Sequence, residues 1–102
     1  MIHTMRISSH EQSIITTLAK QFFGTTSSVI LFGSRVDDGK RGGDIDLLIQ
    51  LREPVQEQYK KKLEFLAALK QAIGDQKIDV VVADPSDSRG IVQQALATGI
   101  EL

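Results

Sequence analysis

The sequence predicts a small α/β (α+β) domain, a mixed sheet packed against helices in the order α-β-α-β-α-β-α. Three observations carry this reading. Segments with helical apolar spacing alternate with short apolar segments of period two. Glycine or proline punctuates most junctions between them. The 102 residues are 41% hydrophobic and 25% charged, the composition of one ordinary globular domain spanning 1–102.

The elements follow in order. Ser9 with Gln12 three residues on is a capping-box pattern, and Ile14, Ile15, Leu18, Ala19, Phe22 and Phe23 form one apolar stripe ending at Gly24. Residues 28–32 are short, β-branched and apolar, which predicts a buried strand. Gly33 ends it, and a short helical turn is expected from Ser34. Residues 37–43 hold three glycines and read as a loop. Residues 44–51 predict a second strand, with Ile45, Leu47, Ile49 and Leu51 on one face and Asp44, Asp46, Leu48 and Gln50 on the other. Pro54 breaks it. A long helix is expected from Val55 to Ile73, with Leu63, Leu66, Ala67, Leu69 and Ile73 inward and Gly74 as its stop. Residues 77–82 predict the third strand, with Asp79 opposite Ile78, Val80 and Val82. A last helix is expected over 88–97, capped by Gly99.

Charge and composition exclude several functions. Twelve basic against thirteen acidic residues give a net charge of −1, which argues against non-specific nucleic-acid binding. Uninterrupted apolar runs are short, such as Val29-Ile30-Leu31-Phe32, so no membrane span is expected. Cysteine is absent, which excludes disulfides and thiolate chemistry and points to the cytoplasm. The two histidines, His3 and His10, lie near the N-terminus, far in sequence from any other candidate.

Asp44, Asp46 and Asp79 are the residues that carry chemistry. Aspartate is depleted in strands and costly to bury unpaired. Asp44 and Asp46 point to the same side of a strand, about 6.6–6.8 Å apart. If the two apolar strand faces share one core, all three carboxylates share the other face. They would then need a counter-charge, for which Mg²⁺ or Mn²⁺ suits an oxygen-only ligand set. Taken singly, each aspartate also reads as a turn cap or a solvated residue. Gly33-Ser34, where a strand passes into a helical turn, offers backbone N–H groups to a phosphate, with Arg35 beside it. The plain alternative is a turn glycine, an N-cap serine and a surface arginine.

Together, Leu31-Phe32-Gly33-Ser34-Arg35, the run Gly43-Asp44-Ile45-Asp46-Leu47-Leu48-Ile49 and Ile78-Asp79-Val80-Val81 resemble the DNA polymerase β-type nucleotidyltransferase superfamily. Within it the chain is similar to minimal nucleotidyltransferase (MNT) domain proteins, which often act as antitoxins to HEPN-domain toxins. The resemblance covers essentially the whole chain and implies a palm-type fold. Two departures stand out. Nine residues separate Ser34 from Asp44, a short spacing for the family, and Gly43 stands where many members have serine.

The resemblance implies transfer of a nucleoside monophosphate, usually AMP from ATP, to a hydroxyl, with release of pyrophosphate. Asp44 and Asp46 would bridge two metal ions, Asp79 would complete one metal site, and Gly33, Ser34 and Arg35 would hold the nucleotide phosphates. The expected acceptor is a tyrosine of a HEPN-domain toxin, making the chain an antitoxin. With no acceptor domain expected in 102 residues, the acceptor site would be shared with another chain or another subunit of a homo-oligomer. Two alternatives are a catalytically idle module that neutralises a partner by steric contact and a transferase acting on a small molecule. A phosphatase of the haloacid dehalogenase type also uses Asp-x-Asp on a strand, but needs it near the start of a larger fold.

Other features have ordinary explanations. Lys60, Lys61 and Lys62 fan across about 200° of a helix, so they form a solvated face rather than one site. Arg89 reads as a loop residue, and Phe22 and Phe23 as core.

Overall fold

The first helix begins where a serine and a glutamate cap each other. The computed structural model describes residues 7–33, 44–74 and 76–102. Helix α1 covers Ser9–Phe23 with Ser8 as its N-cap. The Ser8 hydroxyl accepts from the Glu11 N–H at 3.0 Å, and Glu11 Oε1 accepts from the Ser8 N–H at 3.0 Å. The box therefore sits one residue earlier than the Ser9–Gln12 pairing expected. Both pairs fit the pattern, but a charged acceptor makes the stronger bond and also favours the positive end of the helix.

Strands β1 (Ser28–Phe32) and β2 (Ile45–Gln50) pair antiparallel, with Leu31 opposite Leu47 and Phe32 opposite Asp46. Helix α2 (Gln58–Ile73) is the crossover to β3 (Ile78–Ala83), which lies parallel to β2. Helix α3 (Gly90–Thr98) leads into β4 (Ile100–Glu101), which pairs antiparallel with β1. Among the described residues the mixed sheet has the order β3-β2-β1-β4, so β3 is an edge strand there. Three helices and a four-stranded mixed sheet among the described residues make an α+β fold. Among the described residues, no helix is long and apolar enough to cross a membrane.

The alternating strand pattern sorts side chains into two cores. Leu31, Ile45, Leu47, Ile49, Ile78, Val80 and Val82 face α1 and α2, where Ile15, Phe23, Phe65 and Leu69 close the main core. Phe65 is fully buried and meets Phe22 and Phe23 edge-to-face, at 6.4 and 5.6 Å between centroids. Ile30, Phe32, Leu48 and Ala83 face the other way and pack with Val92 and Ala95 of α3.

Four expectations are corrected. Helix α2 starts at Gln58, not Val55, after Glu57 takes a left-handed conformation (φ 55°, ψ 44°), and Val55 packs against the main core instead. Leu63 and Ala67 are exposed rather than inward. They lie two residues, about 200°, from Phe65, which with Leu69 sets the buried stripe. The second strand begins at Ile45, and the third runs from Ile78 to Ala83. The chain closes on a short strand rather than a helix. Gly99 makes that possible, because a Cβ there would stand 2.5 Å from the Ala95 carbonyl and 2.8 Å from that of Leu31. Two residues are too few for periodicity to reveal a strand. The helical turn expected at Ser34 lies outside the described residues.

Phe65→Ala should destabilise the domain by about 3–5 kcal/mol, because it empties the contact between α1 and α2. Urea unfolding followed by circular dichroism would measure it.

Candidate functional site

Register builds the site. Asp46 is the second residue of β2 and Asp79 the second of β3, and the two are direct partners in the parallel ladder. Partners in adjacent strands project to the same face, about 4.8 Å apart along the sheet. This face is the one opposite α1 and α2. Phe32 extends the row, opposite Asp46 on β1. The carboxylates therefore stand at one end of the sheet face whose interior is covered by α3.

The environment opposes charge on Asp46. Its carboxyl pKa is raised above the ordinary 3.8, first by burial, then by the negative charges of Asp79 and Asp44, and by a hydrogen bond with Asp79. Lys77 acts in the other direction. Asp79 itself is exposed. Asp44 lies just before β2 and ion-pairs with Lys77 at 3.5 Å, as the backbone N–H of Ile45 donates to the Lys77 carbonyl. The segments Asp44-Ile45-Asp46 and Lys77-Ile78-Asp79 thus run side by side, one pairing opposite charges and the next pairing like charges.

Gly33, one residue past β1, has φ +79°, a conformation that favours glycine. A Cβ built there would collide with the Asp46 carboxylate, lying 3.1 Å from its Cγ. The glycine makes room for the carboxylate whatever it does for a phosphate. Ser34 and Arg35, the other expected phosphate-binding residues, lie outside the described residues.

The chemistry of the donor set fits a hard divalent cation. Two carboxylates in adjacent strands, one of them raised above its usual pKa first by burial and then by the charge of the other, would be relieved by a divalent cation. The three aspartates do not form a ready-made cluster. Among the described residues, no group of three His, Cys, Asp or Glu side chains is placed to hold a metal ion. Asp44 is drawn to Lys77 instead.

Sequence reasoning missed two charged groups. Lys77 was visible as the cation heading the third strand, at the place matching Asp44. Arg89, read as a loop residue, donates to Asp87 at 2.6 and 3.0 Å and to the Val82 carbonyl at 3.0 Å. These bonds hold the Asp87 carboxyl below its usual range. Lys60 pairs with Glu57 at 3.9 Å, on a solvated helix face.

Fold and site together describe an α+β domain with a carboxylate pair on its central sheet. A family model, Polymerase beta, Nucleotidyltransferase, matches residues 12–102. The chain belongs to this nucleotidyltransferase family, and it is a minimal nucleotidyltransferase domain protein that acts in nucleotidyl transfer. No curated protein matches it in sequence.

Two outcomes are expected. Gly33→Ala should cost at least about 1 kcal/mol and displace the Asp46 carboxylate, read as a lower Tm and altered Asp46 side-chain NMR shifts. The folded state holds the Asp46 proton more tightly than the unfolded chain does. Stability should therefore fall as pH rises from about 3.8, the unfolded value, through the raised folded value. Asp46→Asn removes that dependence, so its Tm advantage should be absent below pH 3.8 and complete at neutral pH. Melting curves of both proteins across pH 3–7 would show it.

Proposed function

We propose that this chain transfers AMP from ATP to a hydroxyl of another protein, with Asp46 and Asp79 at the reacting centre. The observation that carries this reading is the pairing of the two carboxylates in adjacent strands beside Gly33, in a chain of the nucleotidyltransferase family. In the reaction, the acceptor oxygen bonds to the α-phosphorus of ATP. The bond from that phosphorus to the bridging oxygen breaks, and pyrophosphate leaves with the electron pair. The acceptor proton passes to the exposed carboxylate of Asp79. Asp46 and Asp79, with Asp44 once released from Lys77, would hold Mg²⁺ or Mn²⁺. When bound, such a cation neutralises charge on the phosphates and the attacking oxygen. Gly33, followed by Ser34 and Arg35, would position the β- and γ-phosphates.

The resemblance to MNT proteins supports a HEPN-domain toxin as the partner and one of its tyrosines as the acceptor, with AMP transfer silencing it. The alternative is steric neutralisation by an idle domain.

ATP labelled at the α-phosphate, incubated with the protein, Mg²⁺ and a lysate of the source organism, should label one protein band. Asp46→Asn and Asp79→Asn should each lower that labelling by on the order of a hundredfold or more, because each removes a charge that stabilises the transition state. Full neutralisation of the toxin by Asp46→Asn would overturn the enzymatic reading in favour of steric neutralisation. Mg²⁺ at ten times its dissociation constant should stabilise the wild type by about 1.4 kcal/mol, measurable as a higher Tm and reduced in both variants.

A further inference from the structure

The carboxylate pair stands at a sheet edge left open by the described residues, and that edge has a direction. The Ile45 N–H donates to the Lys77 carbonyl and the Leu51 N–H to that of Ala83. Odd-numbered residues of β3 therefore turn their backbone groups toward β2. Even-numbered residues, Ile78, Val80 and Val82, turn theirs outward. The Val82 carbonyl confirms the alternation, since it accepts from outside the sheet, from Arg89 at 3.0 Å and Gln58 at 3.5 Å. The outward groups of Ile78 and Val80 have no partner among the described residues. They flank Asp79.

A cavity of about 220 Å³ lies beside this edge, lined by Gln58, Tyr59, Lys62, Val80, Val82 and Arg89, together with Val81. Tyr59 is 70% exposed. Arg89 is occupied by Asp87, whereas Lys62 makes no ion pair among the described residues.

We infer that the open edge of β3 binds an extended, acidic polypeptide segment as an added strand and so delivers its hydroxyl residue to the carboxylate pair. This rests on the transfer reaction proposed above and names how its acceptor docks. Strand addition supplies affinity through backbone bonds to Ile78 and Val80, and specificity through alternate side chains. A residue opposite Asp79 projects to the face of Asp79 and Asp46, which places its hydroxyl at the reacting centre. Its two neighbours project to the opposite face, where Lys62 and Tyr59 stand. Lys62 there favours a glutamate or aspartate next to the hydroxyl residue. The bonds made and broken are those of the transfer above: acceptor oxygen to α-phosphorus, with loss of pyrophosphate and the proton to Asp79.

The test uses a synthetic library of eleven-residue peptides with a central tyrosine and randomised flanks, incubated with labelled ATP, Mg²⁺ and the full chain. Labelled peptides should be enriched in Glu or Asp next to the tyrosine. Lys62→Glu should reverse that preference by about tenfold or more, toward Lys or Arg. N-methylation of the backbone amides flanking the tyrosine should abolish labelling. Binding is read separately, by NMR of the Asp46→Asn protein with the best acidic peptide, where the amides of Ile78 and Val80 should shift. Shifts at β3 without any AMP transfer by the wild type would uphold the docking edge and overturn the transfer reading. Labelling that ignores flanking charge, Lys62→Glu and N-methylation would uphold transfer and overturn edge docking. Concentration-dependent shifts at β3 without peptide would assign the edge to a second copy of this chain and also overturn it.

Discussion

Two negative charges in adjacent strands set the terms for everything around them. Asp46 and Asp79 are partners in the β2–β3 ladder, and a ladder fixes the distance between its members. They cannot move apart without breaking the sheet. The protein accommodates them by a raised proton affinity at Asp46, by the cation of Lys77 nearby and by leaving Asp79 exposed. An isolated domain would be more stable with Asp46 neutral.

The rest of the fold holds this pair in place. Ile45, Leu47 and Ile49 are fully buried, and each lies beside a buried apolar residue of β3, namely Ile78, Val80 and Val82. A slip of one residue in that pairing would separate Asp46 from Asp79, but it would also move the apolar row of β3 out of the main core. The hydrophobic pattern therefore fixes the chemistry. Helix α2 reinforces it through Phe65 and Leu69, packed over the face opposite the carboxylates.

Much of this was readable in the residues themselves. The alternation in 45–51 and 78–82 assigned both strand faces, and Asp46 and Asp79 fall on the face it predicts. The unread parts have physical reasons. Two serines each followed three residues later by Gln or Glu leave the capping register open by one. The stripe of α2 was drawn through Leu63 because leucines occur on several sides of that helix, and only packing selects Phe65. The ion pair of Asp44 depends on two segments thirty-odd residues apart meeting in register, which no local pattern encodes.

Gly33 and Asp46 share one volume. A side chain at position 33 would enter the space now filled by the carboxylate of position 46. The two positions are therefore not independent in evolution. A lineage that lost the aspartate would be released from the need for glycine on steric grounds, though the positive φ would still favour it. A lineage that kept the aspartate could not change the glycine without losing the placement of its carboxylate. Substitution at these two sites should follow an order, with the carboxylate yielding first.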